Sequence, residues 1–481
     1  MKTFFKSKNQ ILYLALIIFF GSFLRGYNIN FNDFWSDEMV SFYLSNPDNS
    51  FIESIKLIFK INLMVTFEVI LKYFHLVFGY DIYVSRYLNL ILSTLSILYF
   101  YKLIKNNSNN KIAILGILLL SLNIFHIRYA MELRSYTLSF LMVIIFLNLI
   151  FKQGQIRKKI NFVRSLKIYT VSILMLFSHA FTILVPLSLN AFIFFKYIYK
   201  RNLEKGEWFI FITNIITSAI FLFIYIQNIT HTPSWIPQLK SSFYTNYFFS
   251  NFFGSRLIGG VYLIVLIYLC SAFIKKIFKE MNINLFFLIL IFLTYSITIL
   301  YGYVVEPILI PRYIIFILVP ILFLISKFIF VIKNKILKFI FLLILILPTF
   351  LNHFTENTFK QFYTKIYPSK PEIKKMFLYM DKKDILNYSF LIVDDNQSSL
   401  LKLFSEPYKN YFEKYSIKIS QNFKYINYKN GQKLPENFWL IYITDVTNEK
   451  FKKPKQLEKY DVDDMKSFNH IEIYKIKKNE T

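Results

Sequence analysis

The 481-residue chain holds a single cysteine, Cys270, set inside an apolar run. No intramolecular disulfide can therefore form, and the lone thiol says nothing of the redox compartment. Acidic residues are also scarce, 29 against 56 Lys and Arg, which leaves a net charge of +27. Such an excess suits nucleic acid, but here the basic residues stand in bunches between apolar runs, where the positive-inside rule puts them. The charge is thus read as topology, and nucleic acid is set aside as a partner. No internal repeat and no low-complexity linker is visible. The first apolar run follows Lys2, Lys6 and Lys8 without a small-residue cleavage site after it, so it reads as a retained signal anchor.

What the chain has in quantity is apolar sequence. It is 55% hydrophobic and 20% aromatic with a mean hydropathy of +0.42, and its many long apolar runs make it a polytopic α-helical membrane protein. Letting the basic clusters mark the cytoplasm places runs at 11–24, 84–100, 112–125, 138–151, 208–227, 258–274, 285–303, 313–332 and 339–351. The stretch 168–195 is flanked by positive charge at both ends, so parity asks for two short crossings with Ser178 and His179 at the turn. That makes about eleven transmembrane helices, several shorter than the roughly 20 residues a span usually needs. Residues 51–80, broken by Glu53, Lys56, Lys60, Glu68, Lys72 and His75, read as amphipathic helices on the outer surface. A transmembrane catalytic domain over 1–351 is expected to present outer loops at 25–83, 126–136, 228–257 and 304–312. From residue 352 the apolar runs shorten and charge rises, so 352–481 reads as a small extracytoplasmic α/β domain. Its expected strands are 389–393 and 438–443, and its expected helices 371–380 and 398–415.

The chemistry gathers on the outer side. Directly after the first run comes Trp35-Ser36-Asp37-Glu38, two adjacent carboxylates beside an aromatic, which suits a general base where a membrane-bound substrate meets water. On the same side fall Arg128, Glu132, Arg134, His179, His231, Trp235, Arg256, Glu306 and Arg312. If 126–136 is helical, Arg128 pairs with Glu132 one turn on and Arg134 is left to find another anion. An arginine fork suits a phosphate, although Arg134, Arg312 and Arg256 also fit as interfacial arginines reaching to headgroups. Trp35 and Trp235 suit stacking on a sugar or an interfacial belt, and His179 suits a structural hydrogen bond or a substrate contact. A divalent metal on Asp37, Glu38 and His179 has no ligand spacing behind it. Asp394 and Asp395 close a strand and are given no chemistry.

In order along the chain, "FWSDEMVSFYLS", "HIRYAMELRSYTLS", "SHAFTILV", "SWIPQL" and "IPRYIIFILVP" resemble GT-C membrane glycosyltransferases of the protein O-mannosyltransferase and aminoarabinose-transferase type. The resemblance runs over residues 5–350. It implies transfer of a sugar from a polyprenyl-phosphate donor to a hydroxyl of a lipid, glycan or protein acceptor, on the extracytoplasmic face of a bacterial or archaeal cell membrane. It also implies Asp37 as the base, with Glu38 beside it orienting a substrate, and Arg134 and Arg312 toward the donor phosphate; residue type and side of the membrane add Arg256 as a candidate for that phosphate and Trp35, Glu132, His179 and Trp235 as candidate substrate contacts. No cofactor is required, since a phosphate ester leaves well once its charge is neutralised. One string departs from the pattern: "NLMVTFEVILKYFHLVFG" offers Asn62 at a polar position but lacks the two prolines that follow it in many relatives. Two other readings compete, a transporter or flippase of lipid-linked glycans and a glycan polymerase or ligase. The first should hold its polar residues near the bilayer midplane and often shows repeats.

Overall fold

A computed structural model describes residues 2–61, 64–228, 236–355, 370–381, 389–393, 410–411, 436–443 and 459–478. The chain opens with α1 (Lys2–Gly26), then α2 (Ser36–Leu44), α3 (Phe51–Ile61), α4 (Val65–Phe78) and the single turn α5 (Ile82–Ser85). Next come α6 (Tyr87–Asn107), α7 (Asn110–Ser121), α8 (Ile124–Ala130), α9 (Tyr136–Ile150), the short hairpin β1 (Phe151–Lys152) and β2 (Gln155–Ile156), and α10 (Phe162–Leu176). A 3-10 turn, Ala180–Ile183, leads into α11 (Leu184–Lys200), followed by α12 (Lys205–Asn228), α13 (Ser241–Tyr244), α14 (Phe249–Phe252), α15 (Arg256–Ala272), α16 (Ile274–Glu280) and α17 (Ile283–Val304). A second 3-10 segment, Pro311–Ile317, enters α18 (Leu318–Val331), and α19 (Lys335–Asn352) follows.

The expected apolar runs fall on helical segments, with 112–125 and 258–274 each crossing a break between two helices, and the stretch 168–195 divides as parity requires, into α10 and α11 around His179. Six helices among the described residues are long and apolar enough to cross a membrane, or up to eight if two bent pairs each count as one span. The chain is thus an integral membrane protein with six to eight candidate spans, fewer than the eleven runs. The difference has two physical sources. Helices such as Tyr136–Ile150 are short of a full crossing, and α7 with α8 and α15 with α16 bend by 61° and 62°. The segments at 51–80 form the two separate helices α3 and α4.

The chain divides into two compact units, the first made of residues 1–27, 55–70 and 88–355. Its centre is α18, whose residues from Leu318 to Ile325 are buried on every face, as expected of a helix that is apolar all round. It packs against α7, α15 and α17. Helices α1 and α7 approach closely at Gly21, where a Cβ would come within 2.7 Å of Ser121 Oγ, the use that membrane helices make of small residues. Just beyond, the fully buried Arg25 terminates the apolar part of α1. Its guanidinium donates to the carbonyls of Gly21, Leu120 and Ser121 at 2.7, 2.9 and 3.0 Å, and to His126 Nδ1 at 3.0 Å. Leu120 and Ser121 end α7, and although the Leu120 carbonyl also accepts the Asn123 amide at 3.2 Å, Arg25 adds donors to the carbonyls at the bend toward α8.

The second unit comprises residues 28–54, 71–87 and 356–481. It holds a mixed four-stranded sheet in the order β3-β4-β6-β5, with β3 (Ser389–Val393) parallel to β4 (Asn437–Ile443), and β4–β6 and β6–β5 antiparallel. Both expected strands are present, and the helix expected at 371–380 is found as Ile373–Asp381. The hairpin of β5 (Tyr460–Phe468) and β6 (Ile471–Lys478) is additional. It turns on Asn469 and His470, the latter at φ 57°. Of the helix expected at 398–415 only residues 410–411 are described, and Asp394 and Asp395 lie outside the described residues.

Candidate active site

The second unit holds the acidic pair. Trp35 adopts extended backbone and its carbonyl accepts from the amides of Glu38 and Met39 at 2.9 and 3.0 Å, so α2 starts at Ser36 with both acids in its first turn. Acids there favour the helix through its dipole. The two side chains then part. Asp37 is half-buried, whereas Glu38 is fully buried and receives a forked pair from Arg86, Nε to Oε1 at 2.9 Å and Nη2 to Oε2 at 2.8 Å. Arg86 also donates to the carbonyls of Asn32 and Ile29 at 2.6 and 3.2 Å, and lies 4.9 Å above the Phe34 ring. One guanidinium thus ties the start of α2 to the loop before it.

That loop is held further by Asp33, which is buried and accepts the backbone amide of Lys374 at 2.8 Å, with the Lys374 ammonium 3.6 Å away. Burial outweighs this partner and pushes the Asp33 carboxyl up to about 6. Phe34 donates its amide to the Tyr411 hydroxyl at 2.7 Å. The Trp35 ring carries the Lys370 ammonium 4.1 Å from its centroid, a cation–π contact on a ring read as a sugar platform.

The first unit holds the arginines and the histidine. Helix α8 stops at Ala130, so 126–136 is not one helix, yet Arg128 still faces Glu132 at 3.8 Å. The turn that follows is fixed from α6, where the Asn89 amide donates to the carbonyls of Glu132 and Arg134, the latter at 3.0 Å. Arg134 is buried, with Nη2 3.7 Å from Met64 Sδ. His179 caps the 3-10 turn, its Nδ1 accepting the Phe181 amide at 3.3 Å. Since Nδ1 is the acceptor, a neutral ring carries its proton on Nε2. Burial first, and then the charges of Arg134 and Arg312, drive this imidazole down to about 3, so it is neutral at any physiological pH. Tyr136, Phe181 and Tyr313 surround it with ring centroids at 5.6, 5.8 and 5.1 Å.

His179 and Tyr313 stand at one part of a cavity of about 760 Å³ between α11, α12 and α17. Its walls are mainly apolar, among them Leu184, Leu187, Leu222 and Ile297, and Glu306 also lines it. The Glu306 Oε1 atom is buried without a hydrogen bond. Arg256 is exposed at the first residue of α15. Trp235, His231 and Asn62 lie outside the described residues. Among the described residues no three His, Cys, Asp or Glu side chains gather as metal ligands.

Arg86 escaped the reading of the sequence, although it carried the same signal as Arg134 and Arg312. It is an isolated arginine at the start of an apolar run, at the end away from the lysine clusters.

No family model matches the sequence, and no curated protein matches it. Solved structures do match in shape. ArnT from Cupriavidus metallidurans, in its apo state, superposes with a TM-score of 0.58 over 98% of both chains at 9% identity. The fold is GT-C. A second GT-C structure, the archaeal oligosaccharyltransferase AglB from Archaeoglobus fulgidus with an inhibitory peptide and a dolichol-phosphate, gives a TM-score of 0.51 at 10% identity, over 92% of this chain and 70% of that one. At such identities the likeness is one of fold.

Proposed function

We propose that this chain is a membrane glycosyltransferase that moves a sugar from a polyprenyl-phosphate donor to an acceptor hydroxyl on the extracytoplasmic face. The observation that carries the reading is the cavity. Its roughly 760 Å³ falls within the usual range for ligand sites, its walls suit an isoprenoid chain, and its polar part holds a neutral imidazole under the influence of two arginines. That combination fits a ligand with an oily tail and a phosphate head. One of the two similar folds, AglB, is in complex with a dolichol-phosphate, which agrees with such a donor.

In this reading Asp37 removes the proton from the acceptor hydroxyl as its oxygen attacks the anomeric carbon. The bond from that carbon to the phosphate oxygen breaks, the configuration inverts, and the electron pair leaves with the lipid phosphate. Arg134 and Arg312 stabilise the charge that develops there, and the Nε2–H of His179 donates a hydrogen bond without adding charge. Glu38, with both oxygens on Arg86, fixes the start of α2 and so positions Asp37.

The test is single-turnover transfer from a purified polyprenyl-phosphate sugar, with donor affinity measured on the same preparation. Asp37→Asn should bind donor normally and lose at least about 10² in rate. Arg134→Ala should weaken donor binding, and Arg134→Lys should recover part of it because a point charge replaces a fork. Wild-type turnover in Asp37→Asn would remove Asp37 from the chemistry.

A further inference from the structure

The first unit contains a second cavity, of about 160 Å³, lined by Phe273, Lys276, Ile277, Glu280, Asn284, Lys327, Phe328 and Val331. It lies where α16, the start of α17 and the end of α18 meet. Along α17, Asn284 is roughly 21 Å from Thr298 of the large cavity at 1.5 Å per residue, so the two cavities occupy opposite ends of the same helix.

The charges of this small cavity do not balance. Glu280 places Oε1 3.7 Å from the Lys276 ammonium, and its Oε2 accepts from the Asn282 amide. Both oxygens are therefore engaged. The ammonium of Lys327, in the last two turns of α18, lies 5.6 Å from the Phe323 ring and has no ion pair or hydrogen bond among the described residues, although Glu280 and Lys276 act on it at longer range with opposite sign. One positive charge is left over. An ammonium within a membrane helix is costly unless an anion or water meets it. A second group is also unsatisfied: Asn284 is 2% exposed and its Oδ1 has no hydrogen-bond partner, and as an acceptor it needs a hydroxyl or water rather than the anion itself. The backbone amides at the start of α17 cannot supply the missing contacts, because those of Ile283 and Asn284 already donate to Gly154 O and Asn282 Oδ1. Any ligand must be held by side chains.

The surroundings indicate which ligand. Helix α16 turns away from α15 by 62° and exposes Ile274 and Phe278 alongside its lysines, the pattern of a helix lying in a membrane interface. Val331, on the rim, is also exposed. The cavity has space for about five waters at 30 Å³ each, enough for a phosphate group and too little for a sugar-phosphate with its chain. We propose that this cavity binds the phosphate group of an anionic membrane lipid, with Lys327 as the principal cation, Lys276 assisting, the Asn284 Oδ1 accepting from a headgroup hydroxyl, and acyl chains lying on Ile274, Phe278 and Val331. The site is independent of the glycosyl-transfer reading.

The experiment is native mass spectrometry of the full chain in detergent, after incubation with phosphatidylglycerol, phosphatidylcholine or inorganic phosphate. Wild type and Lys327→Arg should each retain one phosphatidylglycerol. Lys327→Met, an apolar side chain of similar length that leaves the helix intact, should retain at least about fivefold less. Glu280→Gln removes the competing negative charge and should raise retention, which a purely structural role for Lys327 would not produce. Equal retention of phosphatidylcholine by wild type, or undiminished phosphatidylglycerol on Lys327→Met, would overturn the proposal. Displacement of the lipid by millimolar phosphate would keep the phosphate site but assign its ligand to solution rather than to the membrane.

Discussion

Arg86 makes two ion-pair hydrogen bonds and three to backbone carbonyls, and both it and Glu38 are almost fully buried. A buried pair of this kind contributes geometry more than net stability, whereas breaking it leaves one uncompensated charge, at a cost of about 3–5 kcal/mol. Arg86→Met should therefore lower the unfolding temperature sharply, and adding Glu38→Gln to it should recover much of the loss. Arg86→Lys keeps the charge but cannot form the fork. It should fold, bind donor as wild type does, and transfer sugar at least about tenfold more slowly, because the first turn of α2 is no longer fixed. A normal rate in Arg86→Lys would show that the fork plays no part in placing Asp37. The acids themselves were legible as a pair from their position after the first apolar run. Their division into a buried, paired Glu38 and a half-buried Asp37 was not, because it depends on a partner 48 positions away along the chain.

At the scale of elements, the loop before α2 is coupled to the helix Ile373–Asp381 through Asp33 and Lys374. The pH dependence follows from the raised carboxyl. With a folded value of about 6 against 3.8 unfolded, the folded state binds the proton more tightly. Stability contributed by Asp33 is therefore full below about 4 and falls as pH rises to about 6, by up to about 3 kcal/mol. Asp33→Asn should remove this dependence. Unfolding temperatures of wild type and variant, compared between pH 4.5 and 7.5, should diverge in favour of the variant as pH rises, and parallel curves would refute the assignment. The elements were legible to different degrees for physical reasons. Apolar runs announce membrane helices, and the basic clusters at both ends of 168–195 announced the break at His179. The strand β5 did not announce itself, since Asp461, Val462, Asp463, Met465 and Lys466 are all exposed and the register shifts between Val462 and Asp464. The bends after α7 and α15 were hidden as well, because apolar character continues through them.

At the scale of the molecule, the lysine distribution carries a prediction of sidedness. On a Cys270→Ser background, single cysteines at Ser36 and Ser467 should react with an impermeant thiol reagent added outside, and one at Ser165 should not. Labelling of Ser36 and Ser165 from the same side would overturn the topology. The burial of Arg25 has a further consequence, which concerns the order of synthesis. The carbonyls that receive it belong to Leu120 and Ser121, 95 and 96 positions later in the chain. At about 5–20 residues per second, α1 waits roughly 5–20 s on the ribosome before those acceptors exist. During that interval its arginine has to stay at the bilayer surface in contact with water or headgroups. The first helix can thus enter the membrane early but can settle to its final depth only when α7 arrives, so the two become a single unit of insertion.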